Sequence, residues 1–456
     1  MMRRLFSRKS PAGAAMLALF AGVLLVPLFP GVAHAYLDPG TGSMLLSALI
    51  GIAATVFFMV KTFYYKAAGI FYRLTGTAVP ASGKNGIVFY SEGRQYWNTF
   101  RPVLEALDAK GESAAYLTSG EDDPGLSHPF THVSARYIGS GNRAFAAMNM
   151  LEAGVCVMTT PGLDVLQIRR SPGVGHYAHL VHSPTDAALY KLYSFDWFDS
   201  VLCSGEHQIR SLRFLEQLRG TRAKELFRTG CPYMDVLADE LAALPPSVTP
   251  SMEPGARLSA QGASAAPRVL LAPTWGRNGL LRRFGLDLLL PMADAGFSLT
   301  IRPHPQSRTA EPELLGDIAL ALAAYPNVAW DHGSSSLAAM VDSDVLVSDF
   351  SGIVFDYAFI LERPVVTIAM DMDTRGMDAG DLAYPAWELD VLPELGASIA
   401  AENIRNLPET IRNLPPRAEF AARMRELRAK SLFNYRSSGA VAAEQILAVR
   451  QGLAGK

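Results

Sequence analysis

Short apolar runs recur from residue 87 to residue 368, separated by stretches with helical spacing, and this grammar restricts the chain to parallel sheets sandwiched by helices. Ile87–Tyr90, Ser113–Leu117, Val155–Thr160 and Ser200–Cys203 read as strands, and Trp97–Leu107 carries apolar residues at helical spacing. Residues 244–267 are rich in Pro, Ser, Gly and Ala without periodicity and read as a linker. The grammar then restarts with Arg268–Ala272, Ser298–Ile301, Val328–Trp330, Val345–Val347 and Pro364–Ile368 as strands and Leu280–Asp294 as a helix. The expected fold class is therefore α/β, with two Rossmann-like domains facing each other at 84–243 and 268–456. Residues 417–453, rich in Ala, Arg, Glu and Leu, are expected to be helical and able to pack back across both domains.

A chain of 456 residues, 49% apolar, is long enough for two such cores, and a net charge of −2 argues against nucleic acid as a partner. Three widely spaced cysteines, Cys156, Cys203 and Cys231, imply neither a disulfide framework nor a thiolate metal site. Residues 1–35 hold basic residues, an apolar run from Ala14 to Phe29 and Ala33-His-Ala35, the pattern of a secretory signal or a first membrane segment. Residues 36–83 hold an uncharged run, Met44–Val60, followed by Lys61, Lys66 and Arg73 among aromatic residues. That run is expected to span the inner membrane and, by the positive-inside rule, to leave both domains facing the cytoplasm. Treating both runs as export signals of a periplasmic protein is the alternative.

The expected cleft lies where strand ends of the two domains meet. Val345–Leu361 reads as a strand, a tight turn with Ser348, Asp349, Ser351 and Gly352, and a helix start. Such a turn presents free N–H groups to a phosphate, or its Ser and Asp merely cap the helix. Arg302 and His304 end another strand in Ile301-Arg-Pro-His-Pro305, a guanidinium that can grip phosphate and an imidazole that can donate to an oxygen gaining charge. Thr274 and Trp275 end a third and can hydrogen-bond and pack against a ligand, or serve the turn alone. In the first domain, His176, His179 and His182 are spaced by three, which suits a metal only if the segment is helical, and Pro184 with no nearby carboxylate argues against it. His182 can instead act as a general base, or be a core histidine bonded to a carbonyl. Asp371-Met-Asp373 can hold a metal but reads better as a surface turn. No cofactor or metal is expected.

Ala272-Pro-Thr-Trp275, Arg302-Pro-His-Pro305, Ser348-Asp-Phe-Ser-Gly352 with Phe355-Asp-Tyr357, and Thr229-Gly-Cys-Pro-Tyr-Met-Asp235 together resemble the CDP-glycerol glycerophosphotransferase family, the teichoic-acid primases and polymerases. The resemblance covers roughly residues 87–395. It implies a GT-B architecture and transfer of glycerol phosphate from CDP-glycerol to a membrane-linked acceptor in cell-envelope polymer synthesis. It also implies His182 as base, Arg302, His304 and Ser351 around the donor pyrophosphate, and Thr274 and Asp349 alongside. Two departures stand out: Ser183, Pro184 and Thr185 follow His182 where the family has Gly and then Lys, and Tyr233 replaces an Arg. Other readings are a glycosyltransferase or sugar-nucleotide epimerase on the same phosphate cradle, and a non-catalytic membrane scaffold of a polysaccharide assembly complex.

Overall fold

Two wholly parallel sheets carry the architecture. The structure, a computed structural model, describes residues 50–52, 55–56, 86–245, 266–333, 335–370 and 372–454. The expected membrane segments lie outside these residues apart from 50–52 and 55–56, which are helical, and so does most of the expected linker. Among the described residues, no helix is long and apolar enough to cross a membrane.

The first sheet contains β1 (Ile87–Ser91), β2 (Ala114–Thr118), β3 (Val133–Tyr137), β4 (Ala153–Met158), β5 (Val174–Leu180), β6 (Ser200–Cys203) and β7 (Glu225–Arg228), in the order β3-β2-β1-β4-β5-β6-β7. The second contains β8 (Arg268–Leu271), β9 (Ser298–Ile301), β10 (Val328–Trp330), β11 (Val345–Ser348), β12 (Val365–Ala369) and β13 (Gly396–Ala400), in the order β10-β9-β8-β11-β12-β13. Every residue of β1, β2 and β4 is buried, because helices cover both faces of a parallel sheet, which is why these strands read as unbroken apolar runs. β3, at one edge, alternates buried or half-buried with exposed positions, β7, at the other, has exposed Glu225 and Arg228 around two half-buried residues, and β13 is Gly-Ala-Ser-Ile-Ala, so none of the three announces itself by hydrophobicity. β5 holds His176 and His179, and the segment read for its helical histidine spacing is a strand. The expected helix 280–294 is divided at Gly285, whose φ of 49° turns the chain between Leu280–Phe284 and Leu286–Asp294.

The chain crosses between the sheets twice. Helix Pro232–Ala242 places Met234, Leu237 and Ala238 in one core with Leu270 of β8, Leu346 of β11 and Phe355. The helical tail breaks at residues 432–437 into Arg417–Ser431, whose Phe420 and Met424 join that same core, and Ser438–Ala454, whose Ala442, Ala443 and Ile446 pack with Phe100, Val103 and Leu107 of helix Trp97–Ala109. Asp235 ties these crossings together: its carboxylate accepts from the backbone N–H groups of Arg436 and Ser438, both at 2.6 Å, and from Ser438 Oγ at 3.1 Å. A side chain in one helix thereby caps another 203 residues away in sequence.

A seam joins residues 186–196, beyond β5, to residues 376–388. Asp186 Oδ2 accepts from Trp387 N at 3.1 Å and Oδ1 from Ala188 N at 3.0 Å, while Asp378 Oδ1 accepts from Tyr193 N at 2.8 Å and from the Arg219 guanidinium at 2.6 Å. Glu388, fully buried, accepts from Asp186 N through Oε1, and its Oε2 has no partner among the described residues. Burial, assisted by the Asp186 charge, pushes its carboxyl up to about 8. A carboxyl whose pKa rises on folding stabilises fully below its unfolded value of 4.5, and that contribution disappears as pH climbs through about 8. Glu388→Gln should therefore match wild type or melt slightly lower at pH 5, and melt higher at pH 8.5 by roughly 4 °C or more, at about 2–4 °C per kcal/mol; thermal unfolding at the two pH values checks this.

Candidate active site

In the second sheet the strand order reverses between β8 and β11, and the loops leaving these neighbours stand side by side. Asp349, buried at the tip of β11, fastens them together: it accepts from Thr274 N at 3.0 Å, from Thr274 Oγ1 at 2.9 Å and from Ser351 N at 3.1 Å. Burial pushes its carboxyl up against these lowering hydrogen bonds. Ser348, also fully buried, donates to the Ala272 carbonyl at 2.7 Å. Ser348 and Asp349, expected to contact substrate, thus spend their polar atoms on holding Thr274 and Ser351 in place.

A cavity of about 530 Å³ opens over this junction, lined by Thr274, His304, Ser351 and Gly352 together with Trp275 and Arg277. His304 caps the helix Pro305–Ala310, its Nδ1 accepting from Gln306 N at 3.2 Å. That bond puts the proton of the neutral ring on Nε2 as a donor. The Trp275 ring lies nearly parallel to the imidazole, 6.3 Å between centroids at 26°, and burial holds the ring's pKa below its ordinary value. Arg302 is not among the residues lining this cavity; its guanidinium pairs with Asp331 and donates to the Gly333 carbonyl at 2.9 Å. The cavity's exposed guanidinium is instead that of Arg277, three residues beyond Thr274. Sequence reading passed over Arg277 because it follows the strand end inside a Gly-Arg-Asn-Gly turn. A cation placed within a turn that Gly276 and Gly279 keep tight was the available signal. Gly279 is required there, since a Cβ would lie 2.5 Å from the Thr274 carbonyl oxygen.

A second cavity of about 310 Å³ adjoins at Gly352 and is walled by both sheets' loops: Gln95, Tyr96, Thr99, His182, Ser183 and Tyr233 from the first half, Gly352, Ile353 and Asp356 from the second. His182, half-buried just past β5, has the Tyr190 hydroxyl 3.4 Å from both ring nitrogens and the Tyr96 ring edge-on at 5.0 Å. Burial drives its pKa down to about 4, so the imidazole is neutral at pH 7 and able to accept a proton. Asp356 opens a short π-helix, Asp356–Ile360, and accepts from the Tyr233 hydroxyl at 3.1 Å. Burial pushes that carboxyl up to about 7. Both departures from the resembled pattern, at Ser183 and Tyr233, line this smaller cavity.

The other histidines lie apart. His176 shares a hydrogen bond with Ser200 Oγ at 2.8 Å, and His179 is fully buried against Phe195 and Phe198. In a strand, residues three apart point to opposite faces, which separates them as metal ligands. Among the described residues no group of His, Cys, Asp or Glu could hold a metal ion. Asp371 lies outside those residues, and Asp373 is bonded by Arg375 at 2.7 and 2.6 Å, on the rim of the larger cavity.

A family profile described as CDP-Glycerol:Poly(glycerophosphate) glycerophosphotransferase matches residues 127–442. The chain belongs to this family. It is accordingly a CDP-glycerol glycerophosphotransferase-like enzyme, and the matched span holds both cavities apart from Gln95, Tyr96 and Thr99. Among solved structures the chain is similar to the wall teichoic acid polymerase TagF, at 16% identity over 87% of this chain and 99% of that one with a TM-score of 0.51. It is equally similar to a TagF variant soaked with CDPG, at 16% identity, 86% and 98% coverage and a TM-score of 0.51. It also resembles the UDP-GlcNAc 2-epimerase from Methanocaldococcus jannaschii, at 13% identity, 80% and 99% coverage and a TM-score of 0.48. The TagF likeness shows a shared GT-B-type fold. No curated protein matches the chain.

Removing the Asp349 carboxylate leaves three buried or half-buried donors without their acceptor, at about 1–3 kcal/mol for each one left unsatisfied. Asp349→Ala should cost roughly 3 kcal/mol of stability in chemical denaturation and Ser348→Ala about 1 kcal/mol.

Proposed function

We propose that this glycerophosphotransferase-family enzyme moves glycerol phosphate from CDP-glycerol to a hydroxyl of a membrane-linked glycan or lipid acceptor in cell-envelope polymer synthesis. The observation that carries the reading is the meeting of two cavities at Gly352, one with a neutral histidine and the other with a polar cradle at a topological switch point. In this reading the donor diphosphate occupies the larger cavity, where Thr274 Oγ1, Ser351, the His304 Nε2–H and the Arg277 guanidinium face it. The acceptor hydroxyl enters the smaller cavity.

The acceptor oxygen attacks the glycerol-linked phosphorus in line, its proton passes to His182, the phosphorus–oxygen bond to CMP breaks, and CMP leaves with the bonding pair. Donor phosphates beside His182 raise its proton affinity from the low value of the free protein, since nearby negative charge favours the imidazolium. His304 and Arg277 offset the charge that accumulates on the leaving CMP. Arg302, engaged by Asp331 and the Gly333 carbonyl, has no direct contact with the donor in this reading.

The two apolar runs before residue 61, with their basic flanks, support placement at the inner membrane with both sheets on the cytoplasmic side. A reporter fused after Lys456 and active only in the periplasm would reverse that placement. Incubating the full-length chain with CDP-glycerol, UDP-sugars and a membrane extract separates the donor classes, because CMP is released in one case and UMP or UDP in the others. CMP release from CDP-glycerol is expected, with His304→Ala and His182→Gln each slower by about a hundredfold or more. Wild-type turnover in both variants would remove the site assignment.

A further inference from the structure

The two cavities differ in the cations they offer. Arg277 and His304 line the larger, together with Asp373, whose carboxylate is paired with Arg375. The smaller has neither Lys nor Arg among the described residues that line it; its polar groups come from Gln95, Tyr96, Thr99, His182, Ser183, Tyr233 and Asp356. Asp356 and Tyr233 come from helices 123 residues apart in sequence and are joined by the 3.1 Å hydrogen bond, so one stretch of the cavity lining carries a carboxyl and a phenol side by side. We propose that Tyr233 and Asp356 are the acceptor-selecting pair of this enzyme, admitting an uncharged polyol, the hydroxyl face of a sugar, and turning away an acceptor that ends in a phosphodiester. The inference rests on the donor assignment proposed above.

An acceptor ending in glycerol phosphate would bring a negative charge into a space whose described lining has neither Lys nor Arg and carries a carboxyl, leaving only the imidazole that must serve as base to meet it. Desolvating an anion without a partner is among the most costly things a binding site can do. Asp356 donates a hydrogen bond when protonated and accepts one when ionised, and supplies positive charge in neither state. A sugar ring suits the same wall: its hydroxyls both donate and accept, matching Gln95, Ser183, Tyr233 and Asp356, and its C–H face can lie against Tyr96. Selection here works by repulsion of the wrong acceptor as much as by attraction of the right one. The product carries a new phosphodiester, so it is itself the kind of acceptor the pair rejects, and the enzyme adds one unit.

The test uses the full-length chain, CDP-glycerol as donor, and two acceptors: an alkyl hexoside and the same hexoside bearing a terminal glycerol phosphate. CMP release gives kcat/KM for each, mass spectrometry gives the number of units added, and calorimetry gives CDP-glycerol affinity in parallel. Wild type is expected to favour the neutral hexoside at least tenfold and to add one unit. Tyr233→Arg, which places a cation opposite Asp356, is expected to shrink that preference at least tenfold. Tyr233→Phe, which removes the hydrogen bond without adding charge, is expected to keep it, and Asp356→Asn to shrink it by less than the arginine does. Equal or better use of the phosphate-terminated acceptor by wild type, transfer to neither acceptor, a ladder of products, or an unchanged preference in a Tyr233→Arg protein that still binds donor would each overturn the proposal. A wild type that binds no CDP-glycerol overturns the donor assignment instead, which calorimetry distinguishes.

Discussion

A single buried carboxylate holds the loops above the second sheet in register. Parallel strands deliver loops to one edge of a sheet, but nothing in the ladder of backbone hydrogen bonds dictates where those loops go afterwards. Asp349 supplies that instruction by accepting from the backbone and hydroxyl of Thr274 on one loop and from Ser351 N on the next. The arrangement resolves a conflict in the site: small polar residues that could bond a ligand must be fixed without using up the atoms that face it. Buried Ser348 and Asp349 take the fixing role, and the positions one loop-turn outward, Thr274 and Ser351, line the cavity.

The two cavities share Gly352, where a Cβ would come within 3.6 Å of Ser183 Oγ and 3.9 Å of Thr185 Cγ2. A side chain there would stand between the cavity that holds His182 and the larger one, which adjoin at this residue. The seam from Asp186 to Glu388 and from Arg219 to Asp378 runs beside both, so the pieces of the site contributed by different sheets are held by buried polar contacts as well as by apolar packing.

Much of this was legible in the residues. Strands buried on both faces, such as β1, β4 and β11, read as apolar runs because no face needs to be polar, and their order in sequence gives the α/β class. Edge strands β3 and β7 were not legible, since half of their side chains meet solvent and their composition resembles a loop. For the site, residues at strand ends were named, and Thr274, His304, Ser351 and Gly352 do gather at one cavity with His182 at its neighbour. Which of several adjacent polar residues points outward is another matter. Ser348 and Ser351 are alike in type and three positions apart, and only the strand's pleat and the turn geometry decide that the first faces Ala272 and the second the cavity. Arg302 was diverted by Asp331, a partner 29 residues away that no local pattern announces.

The return of helix Ser438–Ala454 to the first sheet has a consequence for biogenesis. It covers Phe100, Val103 and Leu107, and Gly439 sits so near Pro102 that a methyl group would approach the proline Cβ to 2.6 Å. An emerging polypeptide therefore completes all seven strands of its first sheet more than 200 residues before the segment that seals its outer helix leaves the ribosome. During that interval an oily strip stays open to water, so the amino-terminal half is most exposed to aggregation before the later helix arrives to cover it.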